Sequence, residues 1–342
     1  MAVLEALLAL APRVVPETWA PSLQAEKYRR LDREINDANW AVSKAHPFGF
    51  NDRIRTPEKP PGIRFRIAVV GDSFVWGDGL PSGRSWSRKL EKKISEAAPW
   101  VEVMSWGRCG WSTSDELSFV SAHGREFGVD LVLVGWVDND PDLGDHPQKY
   151  LTWQDHLGPL TILFPRTVGL VSGRINGLLY KTLLRGHGYS NWRKSLFRPE
   201  NLKPYGAVLS RFADFCRDEN MGLLFVLTPN DCGPSFGKDY GLVVPLMERA
   251  GIPVLSLLPA VCETLGGRDS LELKASPVNG HPGEPVTDLY VEEVFRYLSR
   301  RPEYAWLWEG SGKEPGRRAR FPLRKCPGLV SISPGPNRME NP

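Results

Sequence analysis

The chain has no CxxC pair, no Gly-x-x-x-x-Gly-Lys loop and no apolar run long enough to cross a bilayer. Each absence removes a class of function. Without a His/Cys/Asp/Glu cluster at ligand spacing there is no case for a metal, and without the phosphate loop none for that mode of nucleotide binding. No metal and no cofactor are therefore expected. The five cysteines, Cys109, Cys216, Cys232, Cys262 and Cys326, are scattered and odd in number, so they read as reduced, mostly buried thiols and not as a disulfide framework. Charge of one sign is also lacking: 43 Lys and Arg against 40 Asp and Glu leave a net charge of +3. Nucleic acid is not an expected partner, because binding phosphates needs a concentrated basic surface. The opening Met1–Ala11 is apolar but short, is interrupted by Glu5 and has no basic leader. It fits a short packed helix better than a membrane span or a signal peptide, which leaves the compartment open between cytoplasmic and membrane-associated.

What is present is an ordinary globular composition, 41% hydrophobic and 24% charged over 342 residues, enough for one large core with appendages. Residues 1–62 form a polar, proline-containing extension with one helical stretch around Leu23 to Val42. The boundary is Pro57-Glu-Lys-Pro-Pro-Gly62, since consecutive prolines neither feed a helix nor supply N–H groups to a central strand. Residues 63–300 then alternate between short apolar runs and helical patterns. Strands are expected at Phe65–Val70, Val101–Trp106, Asp130–Trp136, Leu223–Leu227 and Val254–Leu258. Helices are expected at Ser85–Ala98, Tyr205–Asn220, Leu242–Ala250 and Glu284–Arg300. Thr113-Ser-Asp-Glu116 has capping-box spacing and opens another helix. Five strands alternating with helices make an α/β protein with a doubly wound five-stranded parallel sheet, whose site belongs at the carboxyl ends of the strands. Residues 143–203 form a long helical insertion, read equally as a lid over the site or as a satellite layer. From Arg301 to Pro342 the chain turns basic and rich in Gly and Pro, which reads as a disordered tail; contact of that tail with anionic lipid is only weakly supported.

Four short blocks carry the chemistry. Ile67-Ala-Val-Val-Gly-Asp-Ser-Phe-Val-Trp-Gly77 delivers Ser73 from an apolar strand into a glycine-flanked turn. Gly107-Arg-Cys-Gly-Trp-Ser-Thr113, Gly135-Trp-Val-Asp-Asn-Asp140 and Asn279-Gly-His-Pro282 follow in that order. A serine hydroxyl needs a base to take its proton, and histidine suits that task near neutrality. His281 is the favoured base, placed before the last helix on a loop after the fifth strand. His146, in Asp145-His-Pro147, copies its surroundings but lies too soon after the third strand. Asp72 reads as a structural residue bonded to backbone, and Cys109 as part of a loop rather than a nucleophile. Trp76, Trp111 and Trp136 lie in or beside the blocks as candidate pocket walls.

Together, in this order, the blocks resemble the SGNH (GDSL) hydrolases over roughly residues 63 to 300. The resemblance implies a flavodoxin-like sheet, a Ser73 nucleophile with His281 as base, and an oxyanion hole from Ser73, Gly110 and Asn139. It implies a serine esterase acting on short-chain acyl esters, among them O-acetyl groups on a saccharide, with no cofactor. One position departs from that pattern: an Asp is usual two or three residues before the histidine, and here Asn279 and Val278 stand there. An amide oxygen orients an imidazole but does not offset its charge. Three readings follow: an esterase with Asn279 as orienting residue, an O-acyltransferase to a sugar, or a catalytically weakened carbohydrate-binding protein. On this reading Asn279→Asp is expected to raise activity.

Overall fold

A computed structural model describes residues 21–144, 189–266 and 269–309, with isolated residues 3, 6, 7 and 167. At its centre β1 (Phe65–Gly71), β2 (Val101–Gly107), β3 (Leu131–Trp136), β4 (Gly222–Leu227) and β5 (Val254–Ser256) pair in parallel, in the order β2-β1-β3-β4-β5. That is the flavodoxin-like order of doubly wound sheets. The alternating side chains of each strand feed two separate cores. Ala68 and Val70 of β1 join Phe212 and Met247 on one face, from α6 (Pro199–Asp218) and α7 (Pro234–Arg249). Ile67 and Val69 join Leu90, Ile94 and Tyr290 on the other, from α3 (Trp86–Ala97) and α9 (Glu284–Arg300). Fully burying side chains of this size contributes about 1.5–3 kcal/mol each, so both helical layers are held to the sheet mainly by this apolar contact.

Between β1 and α3 lies α2 (Ser73–Trp76), a single turn that reaches over the ends of the neighbouring strands. The register sets Gly71, Gly107 and Gly135 side by side at the carboxyl ends of β1, β2 and β3. A Cβ on Gly107 would lie 2.4 Å from the Trp76 nitrogen, and one on Gly135 would lie 2.7 Å from Val75 Cγ2. Glycine at the strand ends therefore lets the turn bearing Ser73 settle onto the sheet.

Several expectations change. The fifth strand ends at Ser256, and Leu258 already opens α8 (Leu258–Leu265). The helix α4 (Thr113–His123) is capped one residue earlier than expected, with Ser112 and Asp115 as the capping box. Glu116, freed from the cap, is buried. Residues 21–62 are not a separate appendage: α1 (Pro21–Ala45) and the strap after it pack on the domain, with Phe50 fully buried in the core. The strap is held by polar groups. The Arg66 guanidinium, itself fully buried, donates to the Pro57 and Glu58 carbonyls and to Glu102, and Asp52 accepts the Ser105 N–H at 2.9 Å. Burial alone would raise the Glu102 carboxyl, but the Arg55 and Arg66 guanidiniums overcome it and hold the group below the usual carboxylate range.

Of the insertion, residues 145–188 lie outside the described residues apart from Thr167. Its end forms α5 (Tyr189–Leu196), from which Arg193 bridges Asp138 and Asp239. The first residues past Arg301 are ordered: a 3-10 turn at Pro302–Leu307 buries Tyr304 and Leu307, and Trp100 Nε1 donates to the Leu307 carbonyl at 3.0 Å. The basic stretch beyond Glu309 lies outside the described residues. Among the described residues no helix is long and apolar enough to cross a membrane.

The cysteines also differ from expectation. Cys232 and Cys262 form a disulfide with 5.1 Å between their Cα atoms, because the loop after β4 and helix α8 bring together residues 30 apart in sequence. Cys109 and Cys216 are free. Burial pushes the Cys216 thiol up to about 12. Reduction of Cys232–Cys262 is expected to lower unfolding stability by about 2–4 kcal/mol, by releasing the loop in the unfolded chain. Urea titration with and without dithiothreitol checks this, and coincident transitions would show that the bond contributes nothing.

Candidate active site

Ser73 opens α2, so its side chain stands where the central strand gives way to a helix. Asp72 caps that turn by accepting the Phe74 N–H at 2.9 Å, in keeping with its structural reading. Asp72 Oδ2 also lies 3.2 Å from Ser73 Oγ. Burial raises the Asp72 carboxyl, against the lowering effects of the Phe74 N–H, His281, Ser73 and Asn139.

His281 reaches Ser73 from another part of the fold. Its Nε2 lies 2.8 Å from Ser73 Oγ across 208 residues of sequence. The imidazole is not on a loop, as expected, but on β7 (Asn279–Pro282), which pairs antiparallel with β6 (Lys274–Ser276). Residues two apart in a strand share a face, and Asn279 and His281 do so here. Asn279 Oδ1 lies 2.6 Å from His281 Nδ1 and accepts the His281 N–H at 3.0 Å. Phe74 meets the ring edge-on at 5.5 Å. The hairpin is steadied from the β4 loop, where Asn230 donates to the Gly280 carbonyl two residues before the disulfide.

Gly110 and Asn139 sit on the loops after β2 and β3, the two strands that flank β1. Gly110 is exposed at φ +81°, a left-handed conformation that suits glycine, and the space a Cβ would fill is open. Asn139 is half-buried beside Asp72, and its Oδ1 has no hydrogen-bond partner among the described residues. Behind them lie Glu116 and Asp140, both fully buried. Burial, with the nearby carboxylates, raises both groups well above the ordinary range.

Of the residues singled out in the sequence, Ser73, His281 and Asn279 are in hydrogen-bonded sequence, while Gly110 and Asn139 border them on adjacent loops. His146 lies outside the described residues. Burial, together with Asp78 and Asp72, drives the Cys109 thiol far above its ordinary range and so away from the thiolate a nucleophile needs. Trp76 and Trp136 are core residues, tied through their indole N–H groups to Ser43 Oγ and Tyr205 Oη. Trp111 is half-buried against Phe50 and Phe119. Sequence reasoning missed Asp78 and Asp32 of α1, which both accept from the Asn279 amide, and Asn36 of α1, which donates to Asp78. Asp78 had a signal available, an acid set between Gly77 and Gly79 five residues after Ser73. Asp32 had none.

No family model matches the chain, and no curated protein does. Solved structures do. The psychrotrophic esterase EstA from a Pseudoalteromonas species, inhibited by monoethylphosphonate, is 14% identical over 71% of this chain and 99% of that one, with a TM-score of 0.41. The acetylxylan esterase Axe2 from Geobacillus stearothermophilus is 14% identical over 69% and 94%, with a TM-score of 0.43. A lipolytic protein of the G-D-S-L family from Veillonella parvula is 13% identical over 70% and 100%, with a TM-score of 0.40. The strand order is the flavodoxin-like one, and the four blocks that carry the resemblance to the SGNH (GDSL) hydrolases gather along the carboxyl edge of the sheet.

Proposed function

We propose that the chain is a serine esterase that cleaves short-chain acyl esters, including O-acetyl groups on saccharides, through an acyl-enzyme on Ser73. The observation that carries this reading is the 2.8 Å contact between Ser73 Oγ and His281 Nε2, with Nδ1 held at 2.6 Å by Asn279 Oδ1. Oγ attacks the ester carbonyl carbon as its proton passes to Nε2, and the carbonyl electron pair moves onto oxygen. The Ser73 N–H, the Gly110 N–H and the Asn139 amide are the donors for that oxyanion. Collapse expels the alcohol, which takes the proton from His281. Water, deprotonated by the same imidazole, then releases the carboxylic acid and frees Ser73.

Support for catalysis over mere binding comes from the same contact, since a binding site has no need of a base aimed at a hydroxyl. A fluorophosphonate probe is expected to form one adduct per chain, on Ser73, with no labelling after heat denaturation. Peptide mapping reads the position, and an adduct on another serine would overturn the assignment. A series of aryl esters from acetyl to decanoyl then tests the acyl preference: kcat/KM rising with chain length would remove the short-chain part of the reading.

A further inference from the structure

We propose that Asp78, held by Asn36 of α1, is the acid of this site and acts on His281 through the amide of Asn279, from which Asp32 of α1 also accepts. This rests on the reading of Ser73 and His281 as nucleophile and base, and it makes Asp78 a positioning residue. Asn279 Nδ2 donates to Asp78 Oδ1 at 2.8 Å and to Asp32 Oδ1 at 2.7 Å. Ionised carboxylates only accept, so the amide has one satisfied orientation, with NH2 toward the two acids and oxygen toward the imidazole. That orientation selects the tautomer. An oxygen facing Nδ1 requires the proton on Nδ1, which leaves Nε2 bare to accept from Ser73 Oγ. An Asn that replaces the acid of a serine protease costs about ten thousandfold because it favours the wrong tautomer. Here two carboxylates remove that fault.

Asp78 also supplies the charge that an amide lacks. Its Oδ1 lies 3.7 Å from His281 Nδ1, near enough to favour the imidazolium that forms during attack. The turn that carries it is built for the contact. Gly77 and Gly79 on either side have φ of +89° and +76°. A Cβ on Gly79 would stand 2.6 Å from Asn279 Nδ2, so glycine is what lets the amide lie against the turn. Asn36 closes the arrangement from α1, donating to Asp78 Oδ1 at 3.0 Å and accepting the Gly79 N–H at 2.9 Å. The N-terminal helix thus belongs to the active site.

This reverses the sequence-based expectation for Asn279→Asp. A carboxylate at that position would set a third negative charge against Asp32 and Asp78. Asn279→Asp is expected to lower kcat at least tenfold, and Asp78→Asn to lower it ten- to thousandfold with KM within about twofold of wild type. The double variant Asn279→Asp/Asp78→Asn is expected to recover at least tenfold over either single change, because the new carboxylate then faces Nδ1 directly and its strongest repulsion is gone. The measurements are kcat and KM on an aryl acetate, and the rate of fluorophosphonate labelling, for the full chain with circular dichroism as the folding control. A merely structural role for Asp78 would give no such reciprocal rescue. Wild-type kcat in Asp78→Asn, or no recovery in the folded double variant, would overturn the proposal. If Asp78→Asn fails to fold, Asp32→Asn/Asn279→Asp offers the same rescue from the solvent-facing helix, and no gain over Asn279→Asp overturns it equally. The underlying reading fails separately: wild-type protein that is not labelled on Ser73 removes both, whereas equal labelling of wild type and Asp78→Asn removes only the role of Asp78.

Discussion

Ser73→Ala and His281→Ala are each expected to abolish hydrolysis of a short-chain aryl ester while circular dichroism stays as in the wild type. The two side chains act as one unit: Oγ is a poor nucleophile until Nε2, 2.8 Å away, takes its proton. Loss of either member in a mature serine hydrolase costs about a millionfold in kcat, and loss of both costs scarcely more. Two results therefore check the pairing. Each single variant falls to the background rate, and the double variant falls no further. Neither substitution threatens the fold, since Ser73 and His281 are both half-buried and lie outside the two apolar cores. Full activity in a folded Ser73→Ala protein would end the serine-esterase reading.

Asn139→Ala is expected to reduce kcat by about a hundred- to a thousandfold, with a smaller change in KM. Removing one oxyanion donor raises the barrier by about 2.7–4 kcal/mol, and the loss falls on kcat because the donor is used in the transition state more than in the ground state. An amide NH2 offers two hydrogens. The Asn139 amide lies beside the Asp72 carboxyl, whose pKa its hydrogens help to lower. Steady-state kinetics on an aryl acetate separate the two constants, with thermal unfolding as the control for loss of the Asp72 contact. An effect confined to KM would move Asn139 from the oxyanion hole to substrate binding.

The strands and the four blocks were legible in the sequence for a simple reason. A parallel strand covered on both faces must be apolar along its length, and β1, β2 and β3 are buried almost throughout. A strand followed by Gly-Asp-Ser then fixes where Ser73 emerges. The errors came where local pattern and tertiary use diverge. Glu116 fits a capping box, yet α4 begins one residue earlier and sends that carboxyl inward. Trp76 and Trp136 stand beside the blocks, yet their indoles fill the core. Cys232 and Cys262 show no paired spacing, because their pairing depends on the loop after β4 meeting helix α8.

What the sequence determined by itself is the part of the protein whose causes are local. Apolar runs set the strands, helical periodicity sets the layers over them, and glycine at the ends of β1, β2 and β3 allows the Ser73 turn to lie across the sheet. What only the tertiary structure decided is the charge behind the histidine. Asp32, Asp78 and Asn279 come from a helix, a turn and a hairpin spread over 247 residues, and no spacing rule joins them. Their meeting follows from the packing of α1 on the β1 turn, where one amide between two carboxylates has a single orientation that satisfies all its hydrogen bonds.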